Sequence, residues 1–153
     1  MTIVSVTRLR LRSVRFMPHL YWDARRIKQS LKKAPGYLGG KLLVDQRRAY
    51  WTITLWDNLE SMNAFRYSKV HAEVALLVDK WCDEASVVHW ESDDVQFPSW
   101  KEAHRRMTET GKLTPLTFPS ADHQAHKFRE PYWTKSREES LGHLRKTRAP
   151  KAA

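Results

Sequence analysis

Residues 50–90 constrain the fold more than any other stretch, because a strand, a helical region and a second strand follow one another there. Tyr50 to Trp56 is a run of β-branched and aromatic residues, which favours a strand. Asp57 follows and Glu60 lies three residues later, a spacing that predicts a helix N-cap with its capping box. Apolar residues then recur at helical spacing until residues 85–91, which have strand composition again. The stretch therefore predicts a β-α-β unit with a broadly buried helical region.

The preceding residues complete a recognisable order of elements. Strict alternation predicts a first strand from Ile3 to Arg12, and Pro18 begins a helix that ends at Ala34-Pro35-Gly36. A second strand is expected from Lys41 to Gln46. The resulting order, β-α-β-β-α-β, is the ferredoxin-like plan of an α+β protein. That plan leaves one sheet face bare, so we expect two protomers to pair these faces in a homodimeric α+β barrel.

Charged residues interrupt one face of the first strand. Arg8, Arg10 and Arg12 follow Val4 and Val6 on that face, while Leu9 and Leu11 lie on the other. Because buried charges must be paired, we expect carboxylates of the partner protomer to bind these arginines across the dimer.

The composition changes in the last third of the chain. We expect residues 1–95 to form the barrel domain, 96–133 a C-terminal helix and extension packed outside it, and 134–153 a basic tail without a core of its own. Ser99 is the predicted N-cap of the added helix. Trp22 lies nearly opposite the apolar stripe of the first helix, so the tail or a neighbouring subunit is expected to cover it.

Composition excludes several classes of function. The net charge is +10, but no helix-turn-helix, zinc-finger spacing or RNA-binding motif accompanies it, so we expect no nucleic-acid partner. No apolar run approaches the roughly 18 residues of a membrane span. The single cysteine, Cys82, is typical of a reducing compartment, which favours a cytoplasmic protein. His123 and His126 form a weak HxxH spacing, and we expect no metal site.

Several short motifs resemble a known superfamily. They are an aromatic strand ending in Leu55-Trp56, an acidic cap, Ala64-Phe65, and a Ser68-x-x-His71-Ala-Glu sequence. This combination resembles the central segment of the antibiotic biosynthesis monooxygenase superfamily, whose members are dimeric α+β barrels of ferredoxin-like protomers. Three motifs in the last third, PSW, HRRM and PSADHQAHKF, resemble an uncharacterised subgroup related to spheroidene monooxygenase-like proteins.

The resemblance implies a small tailoring oxygenase, or a related cofactor-independent enzyme, that acts on a hydrophobic aromatic or polyene substrate. Such chemistry requires an apolar pocket, a base and donors for a developing oxyanion. His71 is the candidate base, and Asn63, Arg66 and Tyr67 are the candidate anion-stabilising residues. The candidate substrate pocket between helices and sheet contains Trp51, Trp56, Phe65, Trp81, Trp90, His19 and Trp22.

Two alternatives remain open. In the heme-degrading branch of the superfamily the axial histidine falls about one helical turn later, where this chain has Ala75, so a heme monooxygenase requires His71 or His19 to bind iron in another geometry. The other alternative is a non-catalytic dimer that binds a small molecule and uses the basic strand face as an anion site. In a purely structural role, His71 binds a backbone group or an acid at the start of its helix.

Overall fold

A six-stranded antiparallel sheet organises the protein in the computed structural model, which describes residues 1–131, 137–142 and 144. Its strands are β1 (Thr2–Leu11), β2 (Tyr37–Val44), β3 (Ala49–Trp56), β4 (Cys82–Ser92), β5 (Lys112–Leu113) and β6 (Glu138–Gly142). Their spatial order is β5-β4-β1-β3-β2-β6. The helices are α1 (Met17–Lys33), α2 (Leu59–Arg66), α3 (Lys69–Trp81), α4 (Trp100–Thr110) and the short α5 (Ala121–Gln124). The predicted ferredoxin-like α+β fold is confirmed, since β4-β1-β3-β2 is its strand order.

The turn after α1 differs from the sequence prediction. Strand β2 begins at Tyr37, four residues before the predicted Lys41, and Gly39 lies at an irregularity in its pairing with β3. Gly36 has a φ of +77°, and a Cβ there would lie 2.2 Å from Asp57 Oδ1. Asp57 donates its backbone N–H to Gly36 O at 2.9 Å, and Asn58 instead caps α2 by accepting from Ser61 N at 2.8 Å. The predicted N-cap at Asp57 is therefore wrong by one residue, because Asp57 belongs to this turn.

One face of the sheet packs against α4. Trp51 and Ile53 are fully buried there, together with Ala103 and Met107 of the helix. Ser99 caps α4 as predicted, accepting from Glu102 N at 3.1 Å. From the sequence we expected this face to be bare in the protomer, and we expected the C-terminal extension to pack outside a two-protomer barrel. The chain itself instead covers the face, so the homodimer loses that argument and stays a prediction.

The opposite face packs against α1, α2 and α3 at its two ends. One apolar cluster contains Ile3, Leu31, Trp56 and Met62, and the other contains Leu11, Phe16, Leu20, Trp81 and Cys82. The residues of β1 and β3 between them on this face are small and polar, and they are only partly buried: Ser5, Thr7, Thr52 and Thr54. This face is therefore less completely filled than the face beneath α4.

The C-terminal segment contributes a strand that the sequence did not predict. Strand β6 pairs with the edge of β2, with Leu42 opposite Glu139. At the other edge of the sheet, the two residues of β5 pair with β4. Most of the predicted basic tail lies outside the described residues. The division into residues 1–95, 96–133 and 134–153 stays a prediction.

Candidate functional site

His71 lies in the first turn of α3 and is half-buried. Its ring meets the ring of Phe65 edge-on, with centroids 5.4 Å apart. Burial lowers the pKa of His71, and the nearby guanidinium of Arg66 acts in the same direction, whereas a hydrogen bond to the backbone of Arg66 opposes them. A lowered pKa leaves the imidazole uncharged at neutral pH, which is the form that accepts a proton.

Aromatic rings extend from His71 into the sheet. The Phe65 ring lies 5.3 Å from the Trp56 ring, and Trp56 lies 5.5 Å from Tyr37 in an edge-on arrangement. The indole N–H of Trp56 donates to Thr54 Oγ1 at 3.0 Å, so its polar atom is satisfied within the strand. Phe65 is therefore held between a buried tryptophan and the candidate base.

A cleft opens beside Phe65 between the end of α1 and α2. It has a volume of about 450 Å³ and is lined by Ser30, Lys33, Ala34, Pro35, Glu60, Ser61, Ala64, Phe65 and Ser68. We call it the α1–α2 cleft. The hydroxyl of Ser68 is buried and has no hydrogen-bond partner among the described residues. Ser68 is therefore a candidate site residue that the sequence analysis did not select, although it belongs to the Ser68-x-x-His71 motif.

A second cleft adjoins the first and shares Lys33, Ala34 and Pro35 with it. Its volume is about 810 Å³, and its wall contains Lys28, Lys32, Lys33, Tyr37, Asp57 and Ser140 among others. We call it the lysine cleft. Lys28 forms an ion pair with Glu139 at 2.9 Å, whereas no ion pair is seen for Lys32 and Lys33 within the described part of the chain. Burial raises the pKa of Tyr37 to about 12, so its phenol stays protonated beside these lysines.

The structure does not bring the predicted pocket residues into one cavity. Trp51 and the half-buried Trp90 lie on the α4 face, where Arg106 stacks over Trp90 at 5.0 Å. Trp56 and Phe65 lie on the other face, in the cluster nearest His71. The single pocket expected from the sequence is therefore divided by the sheet.

The remaining predicted residues lie apart from Phe65 or on the surface. The ring of His19 lies 6.0 Å from Trp81, which belongs to the apolar cluster at the far end of the sheet. Trp22 is exposed on α1. Of the three anion-stabilising candidates, Arg66 and Tyr67 are exposed. Asn63 is half-buried within α2, where its backbone carbonyl accepts from Tyr67 N at 3.0 Å.

The arginines of β1 find their partners within the chain. Arg8 and Glu84 form a buried ion pair, and Glu84 also accepts from Ser120 Oγ at 2.8 Å. Arg10 binds Asp83 at 3.0 Å. The predicted carboxylates of a partner protomer are therefore wrong for these two arginines. Because both are neutralised by β4, Arg8 and Arg10 also do not provide the expected anion site.

Beneath α4, the buried row around Arg8 contains unpartnered polar atoms. Arg8 of β1 lies directly opposite Trp51 of β3 on one side and Ser86 of β4 on the other. Arg8 Nε, Trp51 Nε1 and Ser86 Oγ have no hydrogen-bond partner in the described ranges. Buried donors of this kind are usually satisfied by ordered water.

Neither the cysteine nor the histidine pair forms a reactive centre. Cys82 is buried, and burial raises its pKa to about 12, which leaves a thiol instead of a reactive thiolate. His123 is buried and accepts from Ala85 N at 3.4 Å, whereas His126 is exposed. Over residues 1–131, 137–142 and 144, no group of three potential ligands is arranged to hold a metal ion.

Solved structures of several proteins share this fold. SnoaB, a cofactor-independent oxygenase from Streptomyces nogalater, aligns with a TM-score of 0.52 at 11% identity, over 61% of this chain and 95% of its own. A putative antibiotic biosynthesis monooxygenase from Nitrosomonas europaea aligns with a TM-score of 0.56 at 10% identity, over 63% of this chain and 94% of its own. A conserved protein from Methanosarcina mazei aligns with a TM-score of 0.56 at 11% identity, over 61% and 94%. At these identities the likeness shows the fold alone.

Sequence comparison gives the family. No curated protein sequence matches the chain. The profile of a domain of unknown function, DUF3291, matches residues 23–141, which run from within α1 to Leu141 in β6 and include α4. The resemblance to the antibiotic biosynthesis monooxygenase superfamily is confirmed at the level of the fold. The chain belongs to the DUF3291 family and has the fold of the antibiotic biosynthesis monooxygenase-like proteins.

Proposed function

We propose that this protein is a small cofactor-independent oxygenase that oxidises a hydrophobic, electron-rich aromatic or polyene substrate at the α1–α2 cleft. The observation that carries the proposal is the position of His71: an imidazole with a lowered pKa contacts Phe65, and Phe65 lines the cleft. The shared fold with SnoaB, which is described as a cofactor-independent oxygenase, supports the same class of chemistry.

The proposed reaction begins with removal of a proton. A polycyclic ketone with an acidic CH₂ group would lie against Phe65, and neutral His71 would take one proton from that carbon. The carbanion would transfer electrons to O₂ and form a C–O bond, giving a hydroperoxide after the proton returns. Loss of water then leaves a carbonyl group, so CH₂ and O₂ become C=O and H₂O. The substrate supplies all the electrons, and the reaction requires no added reductant.

The developing oxyanion needs hydrogen-bond donors. Ser68 has an unpartnered hydroxyl at the cleft, and Lys33 lines the same cleft. We therefore place Ser68 ahead of Arg66 and Tyr67 as the anion-stabilising residue, because the latter two are exposed at the end of α2. Asn63 remains a candidate on the same helix. The heme alternative has no support in the comparisons, in which the oxygenase SnoaB is described as cofactor-independent.

Oxygen uptake tests the proposal. The purified full chain is mixed with an anthrone-type ketone in air-saturated buffer without added cofactor, and O₂ consumption is followed with the carbonyl product. We expect His71→Ala to lower turnover by about 10²–10⁴ while leaving the unfolding midpoint nearly unchanged. His126→Ala, at an exposed histidine, is the matched control. An active but destabilised His71→Ala protein would assign the residue a structural role and end the catalytic proposal.

A non-catalytic binding function is the second candidate, and the lysine cleft favours it. Lys32 and Lys33 line a cleft large enough for a drug-sized ligand, so an anionic small molecule is the expected ligand. Isothermal titration with a panel of aromatic carboxylates would detect it. Binding that is lost in Lys32→Glu and kept in Lys101→Glu, without any oxygen uptake, would favour this function over the oxygenase.

A further inference from the structure

The outer surface of α1 and α3 exposes large apolar side chains. Tyr21 and Trp22 of α1 are 67% and 65% exposed, and Leu76 of α3 is 80% exposed. Met17 lies one turn before Tyr21 and is also exposed. We call these four residues the aromatic patch. Isolated exposed apolar residues are common, but several large ones on two neighbouring helices mark an interaction surface.

Two contacts between the helices show that α1 and α3 are neighbours. Arg26 of α1 binds Glu73 of α3 at 2.6 Å, and the His19 ring lies 6.0 Å from Trp81. The helices therefore run side by side and antiparallel. Trp22 lies one turn from both His19 and Arg26, and hence on the side of α1 next to α3. Leu76 lies one turn beyond Glu73 on the exposed stripe of α3.

The surroundings of the patch are cationic. Residues 12–33 contain seven lysines and arginines and a single acidic residue, Asp23. Asp23 is buried and bound to Arg26. The exposed charges that flank the patch are Arg15 and Arg25 on the α1 side and Lys69 and Lys80 at the two ends of α3. The acids of α3 are already engaged, since Glu73 binds Arg26 and Asp79 accepts from Thr117.

We propose that the aromatic patch docks on an anionic membrane surface. Tryptophan and tyrosine are enriched at the membrane–water interface, and lysine and arginine are attracted to anionic lipid headgroups. Docking would be peripheral, since no helix in the described part of the chain is long and apolar enough to cross a bilayer. A second copy of the chain is a poorer occupant, because a self-complementary interface would place two cationic surfaces against each other. The proposal is independent of the chemistry assigned to His71.

Vesicle co-sedimentation of the full chain tests the docking proposal. We expect binding to phosphatidylcholine vesicles that contain about 30% phosphatidylserine, weak binding to pure phosphatidylcholine, and release by salt. Trp22→Ala should weaken binding about tenfold, and the double variant Arg25→Glu/Lys80→Glu at least about 25-fold. Both variants change exposed side chains, and circular dichroism should show an unchanged fold.

Lys101→Glu is the matched charge control, because Lys101 is exposed on α4, which covers the opposite face of the sheet. It should bind the anionic vesicles like the wild-type protein. Equal binding to neutral vesicles, or equal losses in Lys101→Glu and Arg25→Glu/Lys80→Glu, would contradict the proposal. Failure of the wild-type chain to bind anionic vesicles would also contradict it. So would a dimer in sedimentation velocity that Trp22→Ala dissociates, which would make the patch an interface between copies.

Discussion

The two faces of the sheet differ in how completely they are filled. Toward α4, Trp51, Ile53 and Met107 have no exposed surface, and the Arg8–Glu84 ion pair is buried with them. Toward α1, α2 and α3, the apolar clusters lie at the two ends, and Thr52 between them is only partly buried. A close-packed face stabilises one structure, whereas a loosely filled face with clefts leaves room for a ligand. The proposed active site and the most densely packed part of the core would then lie on opposite sides of one sheet.

The largest expected effect is on the filled face, at Glu84. Replacing Glu84 by Ala leaves the buried Arg8 without its carboxylate, which should lower the free energy of unfolding by about 3–5 kcal/mol. Urea denaturation measures the loss. Glu139→Ala is the control, because Glu139 pairs with Lys28 but is 59% exposed, and it should cost no more than about 1 kcal/mol. Similar losses in the two variants would mean that the pair beneath α4 is not truly buried.

The variant Met107→Ala tests whether α4 is part of the core. Met107→Ala removes a fully buried side chain and should cost about 2–5 kcal/mol in the free energy of unfolding. Met17→Ala, at a methionine that is 44% exposed on α1, should stay within about 0.5 kcal/mol of the wild type. A small loss at Met107 would show that α4 detaches in solution. The sheet face would then be uncovered, and an uncovered face favours the homodimeric barrel.

On the looser side, Gly36 tests the turn between the two clefts. Gly36→Ala should cost about 1–2 kcal/mol, because alanine disfavours a positive φ and its Cβ would lie against Asp57. Gly36→Asn separates these two causes, since asparagine tolerates a positive φ but carries the same Cβ. Thermal unfolding of both variants gives the answer. An asparagine variant as stable as the wild type would assign the whole cost to backbone conformation.

The smallest effect on stability concerns the protonation of His71. Its pKa is lowered in the folded chain, so protonation favours the unfolded state. The stabilising contribution is therefore present above the ordinary value of about 6.5 and is lost as the pH falls through the lowered value. We expect kcat/KM for oxygen uptake to be flat at neutral pH and to fall only below about pH 6.5. An acid limb above that pH would contradict the assignment of His71 as the base.

The sequence predicted the strands well because alternation and strand composition are local signals. The same alternation also argues against a single pocket lined by both Trp51 and Trp56. Trp51 and Trp56 are five residues apart in one strand, so their side chains point to opposite faces and cannot line one pocket. The in-chain partners of Arg8 and Arg10 come from β4, more than seventy residues away, a separation at which sequence pattern gives no pairing.

The covering of the sheet was harder to predict than the sheet itself. The segment of α4 has a clear N-cap at Ser99, but nothing local determines which face of the sheet the helix covers. Strand β6 lies in the predicted basic tail and has no strand signal in its sequence. Only one of its five residues, Leu141, is buried. The strand is held by backbone hydrogen bonds to β2, and such bonds cannot be predicted from amino-acid composition. Asp57 and Asn58 compete for the same cap, and the tertiary contact with Gly36 decides between them.

Because α4 and β6 come late in the chain, the core is finished late in synthesis. While the first two-thirds emerge from the ribosome, the side of the sheet that carries Trp51 and Ile53 has nothing to lie against. At roughly 5–20 residues per second, that surface stays open for several seconds. A nascent or truncated chain that ends before Trp100 should therefore need a chaperone, or a second nascent copy, to cover this surface in place of α4.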